Sequence, residues 1–337
     1  MVARGACSPL GEGEAAFGGA RVGEPADVRV ARDDELAAAG LARPFSARAV
    51  GQFPAGVDRA TVLLERAFAG CARELDDVLP GWRTLRVGAA IGTSSGGMRM
   101  FERLFDEGSP VASETPLAAT YIAPLVFAER PTPLEPVSLV LGACASSTIA
   151  IGVGRAWLLA DRCDVVLAGG FDAVSVFVAA GFECLRATCG DGRPKPFRQG
   201  RDGLALGEGA AVVALVREAT ARRARRVHAW ISGFGASCDA AHLTAPEASG
   251  GGLARAARAA IEEAGAPPIE LVSAHGTATK HNDAAEASAI VAALGGAREI
   301  PVYSLKGTVG HTLGAAGALE VLSAALAMRD GVAPASA

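Results

Sequence analysis

The stretch Val137-Ser138-Leu139-Val140-Leu141-Gly142-Ala143-Cys144-Ala145-Ser146-Ser147 is where the fold can be read. Residues 137–141 are apolar enough to predict a buried strand, and the alanine-rich run 146–160 predicts a helix. Between them stand a glycine and small side chains, which suit a tight strand-to-helix turn. The same alternation recurs outward in both directions. Residues 87–91 predict a strand followed by the glycine turn 92–97, and residues 164–168 another, closed by Gly169 and Gly170. Strands are expected at 210–216, 227–232, 271–274 and 301–304, with helices over 252–264 and 314–329. Apolar strands alternating with helices predict an α/β architecture with buried strands.

With 337 residues the chain has room for two ordinary domains or one large duplicated unit. Half its residues are hydrophobic and 20% are charged, enough for a large packed core. No internal repeat is visible. The junction between halves is placed at 218–226, dividing the chain into residues 1–220 and 221–337. Arg222, Arg223, Arg225 and Arg226 in that stretch read as a solvated helix face. A net charge of −4 argues against nucleic acid as a partner. The seven cysteines are scattered, odd in number and without Cys-x-x-Cys or Cys/His spacing. Neither a disulfide framework nor a metal site is expected, and a reducing cytoplasm is. No signal-peptide pattern and no run of 18 apolar residues is present, so no membrane span is expected. No dinucleotide or P-loop motif points to a dehydrogenase or a kinase.

Cys144 sits where a helix begins, and the helix macrodipole there predicts a thiol of lowered pKa, ready to act as a nucleophile. An isolated cysteine in an apolar setting is more often a plain core residue. Two histidines change that balance. His275 follows a short strand in Ala274-His275-Gly276-Thr277-Ala278-Thr279, with Asp283 eight residues on. His311 lies among glycines in Lys306-Gly307-Thr308-Val309-Gly310-His311-Thr312-Leu313-Gly314-Ala315-Ala316-Gly317. His228 and His281 carry no motif, and His242 is read as either near the site or structural.

Together these segments resemble the Cys–His–His signature of the elongating β-ketoacyl synthases, which condense acyl groups on acyl carrier protein. The resemblance runs over essentially the whole chain. Ser8-Pro9-Leu10-Gly11, the glycine turn ending at Gly97, Arg201-Asp202-Gly203, Gly207-Glu208-Gly209-Ala210 and His242-Leu243-Thr244-Ala245-Pro246 all look familial. It implies a thiolase-like fold, two similar α/β halves in a five-layer α-β-α-β-α arrangement, usually as a homodimer or paired with a related subunit. It implies that Cys144 takes the acyl group as a thioester. His275 and His311 would then donate hydrogen bonds to the enolate oxygen formed as a malonyl-type extender loses carbon dioxide. Lys306 and Glu320 would pair and fix the histidines, Thr277 and Thr279 would bind the pantetheine arm, and Asp283 and Glu208 would hold nearby loops. No tightly bound cofactor is implied; phosphopantetheine arrives on the carrier protein.

Three departures from the family pattern are visible. Pro196-Phe197 is followed by Arg198 where the family has aspartate, and Leu141-Gly142-Ala143 precedes the cysteine in place of the usual Thr-Ala. The chain also ends at Ala337, where members continue through a Gly-Phe-Gly-Gly turn supplying an oxyanion donor. The expectation is weak activity or aggregation for this chain alone unless that edge is covered. The rival readings are a diverged acyltransferase or decarboxylase, and a non-catalytic partner subunit. The partner reading would typically lack the cysteine.

Overall fold

Alternate residues of a strand face opposite sides of its sheet, so a strand buried on both faces must be apolar throughout. Residues 165–168 and 210–216 meet that condition, and in the computed structural model they lie at the centre of a six-stranded sheet. The structure describes residues 1–25, 27–105, 116–242, 244–296 and 299–336. Leu243 of the familial His242 segment lies outside them.

The sheet contains β1 (Ala3–Ser8), β2 (Gly11–Glu12), β3 (Val87–Gly92), β4 (Val137–Val140), β5 (Val165–Asp172) and β6 (Gly209–Val216). Their spatial order is β2-β1-β6-β5-β3-β4. Strand β3 runs parallel to both β4 and β5, with Ala89 opposite Val137 on one side and Leu167 on the other. Val165, Leu167, Val212 and Ala214 face one core cluster, which is completed by helix α1 (Arg59–Val78). Val166, Ala168, Val213 and Leu215 face the other, completed by helices α2 (Ser146–Leu159) and α5 (Ala316–Asp330). Beyond α2 and α5 lie β7 (Val272–Ser273) and β8 (Val302–Tyr303), a parallel pair. Helices α3 (Gly251–Glu263) and α4 (Lys280–Ala293) pack together on the outside. The chain therefore has a thiolase-like α-β-α-β-α layering, with a second sheet far smaller than the first.

Three strand readings need correction. Residues 137–141, expected as a buried strand, form the edge strand β4, which ends at Val140 and holds no fully buried residue, because no strand among the described residues covers its outer side. The strand predicted to close at Gly169 and Gly170 runs on to Asp172. Those glycines are there for close approach: a Cβ on Gly169 would stand 1.9 Å from Ala211 O. Residues 227–232, expected as a strand, join no ladder among the described residues. Side chains take up backbone groups there instead. Arg155 donates to Ile231 O (3.1 Å) and Ser232 O (3.1 Å), and Glu263 accepts from Phe234 N (2.7 Å). The sequence reading also passed over α1 and α4. In α1 the apolar positions Ala60, Leu63, Leu64, Ala67, Phe68, Cys71 and Leu75 recur at helical spacing, and Asp58 caps the first turn.

A duplication hidden in the sequence shows in the backbone. The turn Ala143–Ala145 leads into α2, and the turn Leu313–Ala315 leads into α5. Each opens on a residue of left-handed φ, +49° at Ala143 and +50° at Leu313. The two helices pack side by side, closely enough that a Cβ on Gly317 would stand 1.9 Å from Thr148 Oγ1.

Candidate active site

Three segments converge at the ends of β4, β7 and β8. The first is the turn holding Cys144, and the second is the loop after β7 holding His275. The third follows β8 and holds His311. One ligating atom from each of the three lies within 4.8 Å of the other two. His311 Nε2 is 2.9 Å from Cys144 Sγ, and the imidazoles meet edge to face with ring centroids 5.2 Å apart. They open on a cavity of about 980 Å³ that also exposes Thr277, Thr279, Lys280, Asn282 and Phe182. Cys144 is the cysteine that lines it. Cys7, Cys71, Cys163 and Cys189 are buried elsewhere, and Cys184 and Cys238 are exposed.

The protonation states follow from the neighbours. Leu313 N donates to His311 Nδ1 at 3.3 Å, so the ring proton belongs on Nε2, which faces the sulfur. Burial, then the Lys306 ammonium, hold His275 and His311 well below the usual histidine range, so both enter the site neutral. Lys306 is 2% exposed and is paired with Glu320. Burial pushes the Glu320 carboxyl up, against the opposing pull of that ammonium.

The thiol departs from the expectation of a lowered pKa. Burial pushes Cys144 up to about 11, while the Lys306 charge pulls the other way. Desolvation by the loops packed around the half-buried sulfur outweighs the helix terminus. Cys144 therefore rests as a thiol.

One cysteine and two imidazoles at this spacing would admit a cation on distance alone. The surroundings argue against it. A metal-bound histidine normally donates its other ring N–H, whereas His311 Nδ1 accepts one. The Lys306 ammonium also stands near both rings.

The remaining sequence candidates bond elsewhere, to backbone groups, arginines and each other. Asp283 accepts from Phe197 N at 2.7 Å and lies 3.6 Å from Arg201. Glu208 is fully buried, pairs with Arg59 and accepts from Ala49 N at 2.8 Å. Thr277 and Thr279 share a hydroxyl–hydroxyl contact of 3.0 Å on the cavity wall. His242 Nδ1 accepts from Thr244 N and Ala245 N, which makes it a loop cap. Arg198, where the family has aspartate, donates to Ser336 O at 2.9 Å.

Three residues escaped the sequence reading. Glu286 accepts from His275 N (2.6 Å) and Gly276 N (2.7 Å), fixing the histidine's backbone. Its signal was its place three residues after Asp283 on one face of α4. Ser304 Oγ donates to Gly276 O at 2.9 Å and accepts from Lys306 N at 3.3 Å, joining the two histidine loops. Asp172 was missed because the strand was ended too early.

The two neutral histidines, His311 buried and His275 half-buried, give a pH prediction. Each has a folded pKa below its unfolded value, so below pH 6.5 the unfolded chain binds more protons. Stability then falls with falling pH, by about 1.4 kcal/mol per pH unit for each histidine. Urea melts of the parental chain and His311→Gln at pH 7, 6 and 5 should show the variant gaining on the parent, by about half that slope from pH 7 to 6 and close to it from pH 6 to 5. Parallel pH dependences would contradict the buried neutral assignment.

The chain is similar to known proteins in sequence and in fold. Residues 80–221 match the family described as "Beta-ketoacyl synthase, N-terminal domain", and residues 228–337 match "Beta-ketoacyl synthase, C-terminal domain". The tetracenomycin polyketide synthase ketoacyl synthase alpha subunit of Streptomyces glaucescens is 35% identical over 308 residues, covering 83% of this chain and 71% of its own. The 3-oxoacyl-[acyl-carrier-protein] synthase 2 of Staphylococcus aureus is 34% identical over 268 residues, covering 73% and 64%. A solved structure, "The ishigamide ketosynthase/chain length factor", superposes with a TM-score of 0.82 at 28% identity, covering 100% of this chain and 87% of that one.

Proposed function

The chain belongs to the β-ketoacyl synthase family, and on that premise we propose how its cavity condenses acyl groups carried by acyl carrier protein. The observation that carries this reading is the convergence of Cys144, His275 and His311 on one cavity. Cys144 attacks the thioester of the incoming acyl group, forming acyl-Cys144 and releasing the carrier's thiol. A malonyl-type extender enters next on its own phosphopantetheine arm, along the wall formed by Thr277 and Thr279. Loss of carbon dioxide leaves a carbanion whose charge is shared with the thioester oxygen, where the N–H groups of His275 and His311 stabilise it. The carbanion attacks the acyl carbonyl, the C–S bond to Cys144 breaks, and a β-ketoacyl thioester leaves on the carrier.

Intact-mass spectrometry after incubation with a panel of acyl carrier proteins tests this. One acyl adduct should appear, map to Cys144, and disappear on adding malonyl carrier protein as the elongated product forms. Adducts on Cys184 or Cys238, or none with any carrier, would contradict the reading.

The two halves would divide at 220/221. We further infer a dimer, homo- or hetero-, formed along β4. That strand is an edge of the six-stranded sheet, and exposed apolar side chains at Tyr121, Ile122, Phe127 and Leu141 stand among the residues before and after it. A mass of 33.9 kDa by light scattering at micromolar protein would contradict it. No helix among the described residues is long and apolar enough to cross a membrane, and the free cysteines suit the cytoplasm.

A further inference from the structure

Asp172 ends β5 with its carboxylate fully buried, and it gathers five donors. Oδ1 accepts from Thr93 Oγ1 (2.6 Å), Ser95 N (2.9 Å) and Ser95 Oγ (2.6 Å). Oδ2 accepts from Ser94 N (2.8 Å) and Gly314 N (2.6 Å). Two of these contacts lead directly to the reacting groups. Ser94, held by its backbone, donates its hydroxyl to Ala143 O at 2.7 Å, the carbonyl just ahead of Cys144. Gly314 lies in the turn whose Leu313 N–H sets the His311 ring. There is little slack between them: a Cβ on Gly314 would stand 2.6 Å from Thr93 Cα and 2.7 Å from Asp172 Oδ2.

We propose that Asp172 is a positioning residue for the condensation, one carboxylate that holds the Cys144 turn and the His311 turn in a single register. The proposal rests on the condensing reading above. Three of the five donors are backbone N–H groups, which can only donate, so the site is built around an acceptor. Burial pushes the carboxyl's pKa up, and the donors oppose that push. The charge reaches the sulfur as well. Asp172 and Glu320 disfavour the thiolate, Lys306 favours it, and the two histidines beside it are neutral. Asparagine at this position would turn an amide N–H₂ toward donors and would remove the charge.

The test is the rate of Cys144 alkylation by iodoacetamide against pH, alongside steady-state condensation. In Asp172→Asn the alkylation profile should move to lower pH, with a rate at pH 8 raised roughly threefold or more. The condensation kcat should fall on the order of tenfold or more, with KM little changed. A merely structural role would not speed alkylation in a folded variant. Thr93→Val keeps the charge and removes one donor, so kcat should fall while the alkylation profile stays. A folded Asp172→Asn with the parental alkylation profile, or with kcat within twofold of parental, overturns the proposal. If that variant does not fold, Thr93→Val decides, and parental condensation there overturns the proposal too. Alkylation needs no carrier protein. A parental chain that alkylates but never condenses would therefore count against the condensing reading, while the profile shift still judges Asp172.

Discussion

Cys144→Ala should abolish acyl loading and condensation, and Cys144→Gln should separate the two chemical stages. Alanine removes the nucleophile, and no other cysteine lines the cavity to replace it. Losses on removing a covalent nucleophile are of order 10³-fold or greater, so condensation should fall below detection. Glutamine is more informative. Its amide carbonyl stands where the acyl-Cys144 carbonyl would be, and both histidines remain. Decarboxylation needs donors at the enolate oxygen and no free sulfur, so Cys144→Gln should still release carbon dioxide from malonyl carrier protein. The carbanion then meets an amide it cannot displace and is quenched by a proton, giving acetyl carrier protein. Radiolabelled malonyl carrier protein distinguishes the outcomes. Elongated product from either variant would mean that another group carries the acyl chain.

Much of this site was legible because its parts sit at strand ends marked by small residues. Cys144 follows an apolar strand, and the glycines around His275 and His311 announce turns. Gly276 shows why the residue type matters: its φ is +42°, and a Cβ there would stand 2.6 Å from Ser304 Cβ. What stayed hidden was long-range. Glu286 reaches back across ten residues to Gly276 and Asp172 reaches across 142 to Gly314, and no local pattern records either pairing. The thiol's environment was hidden for the same reason. The helix terminus is visible in sequence, but the burial that outweighs it depends on how the three loops close. Glycine misled once, at Gly169 and Gly170, where close packing between strands looked like a turn. The duplicated turns escaped because Gly142-Ala143-Cys144 and Thr312-Leu313-Gly314 share a backbone path and almost no side chains.

His275→Ala and His311→Ala should each slow malonyl decarboxylation on the order of 10²- to 10³-fold, the usual loss for one oxyanion donor. Their effects on acyl loading should differ. His311 Nε2 touches Cys144 Sγ at 2.9 Å, so its loss also removes a donor that would stabilise the thiolate as it forms. His275 makes no such contact among the hydrogen bonds of the site, so His275→Ala should load at closer to the parental rate. His311→Ala should load more slowly but still detectably. The pH dependence adds an independent check. Both imidazoles are neutral donors held well below the usual histidine range, so decarboxylation should stay flat from pH 8 down to pH 6. A histidine acting as an imidazolium acid would instead make the rate rise as pH falls through 6.5. Carbon dioxide release by the parent and both variants at pH 6, 7 and 8 separates the two mechanisms. A rate that climbs toward pH 6 and loses its slope in one variant would assign that histidine as the acid. It would also mean that the Lys306 ammonium does not keep its neighbour neutral.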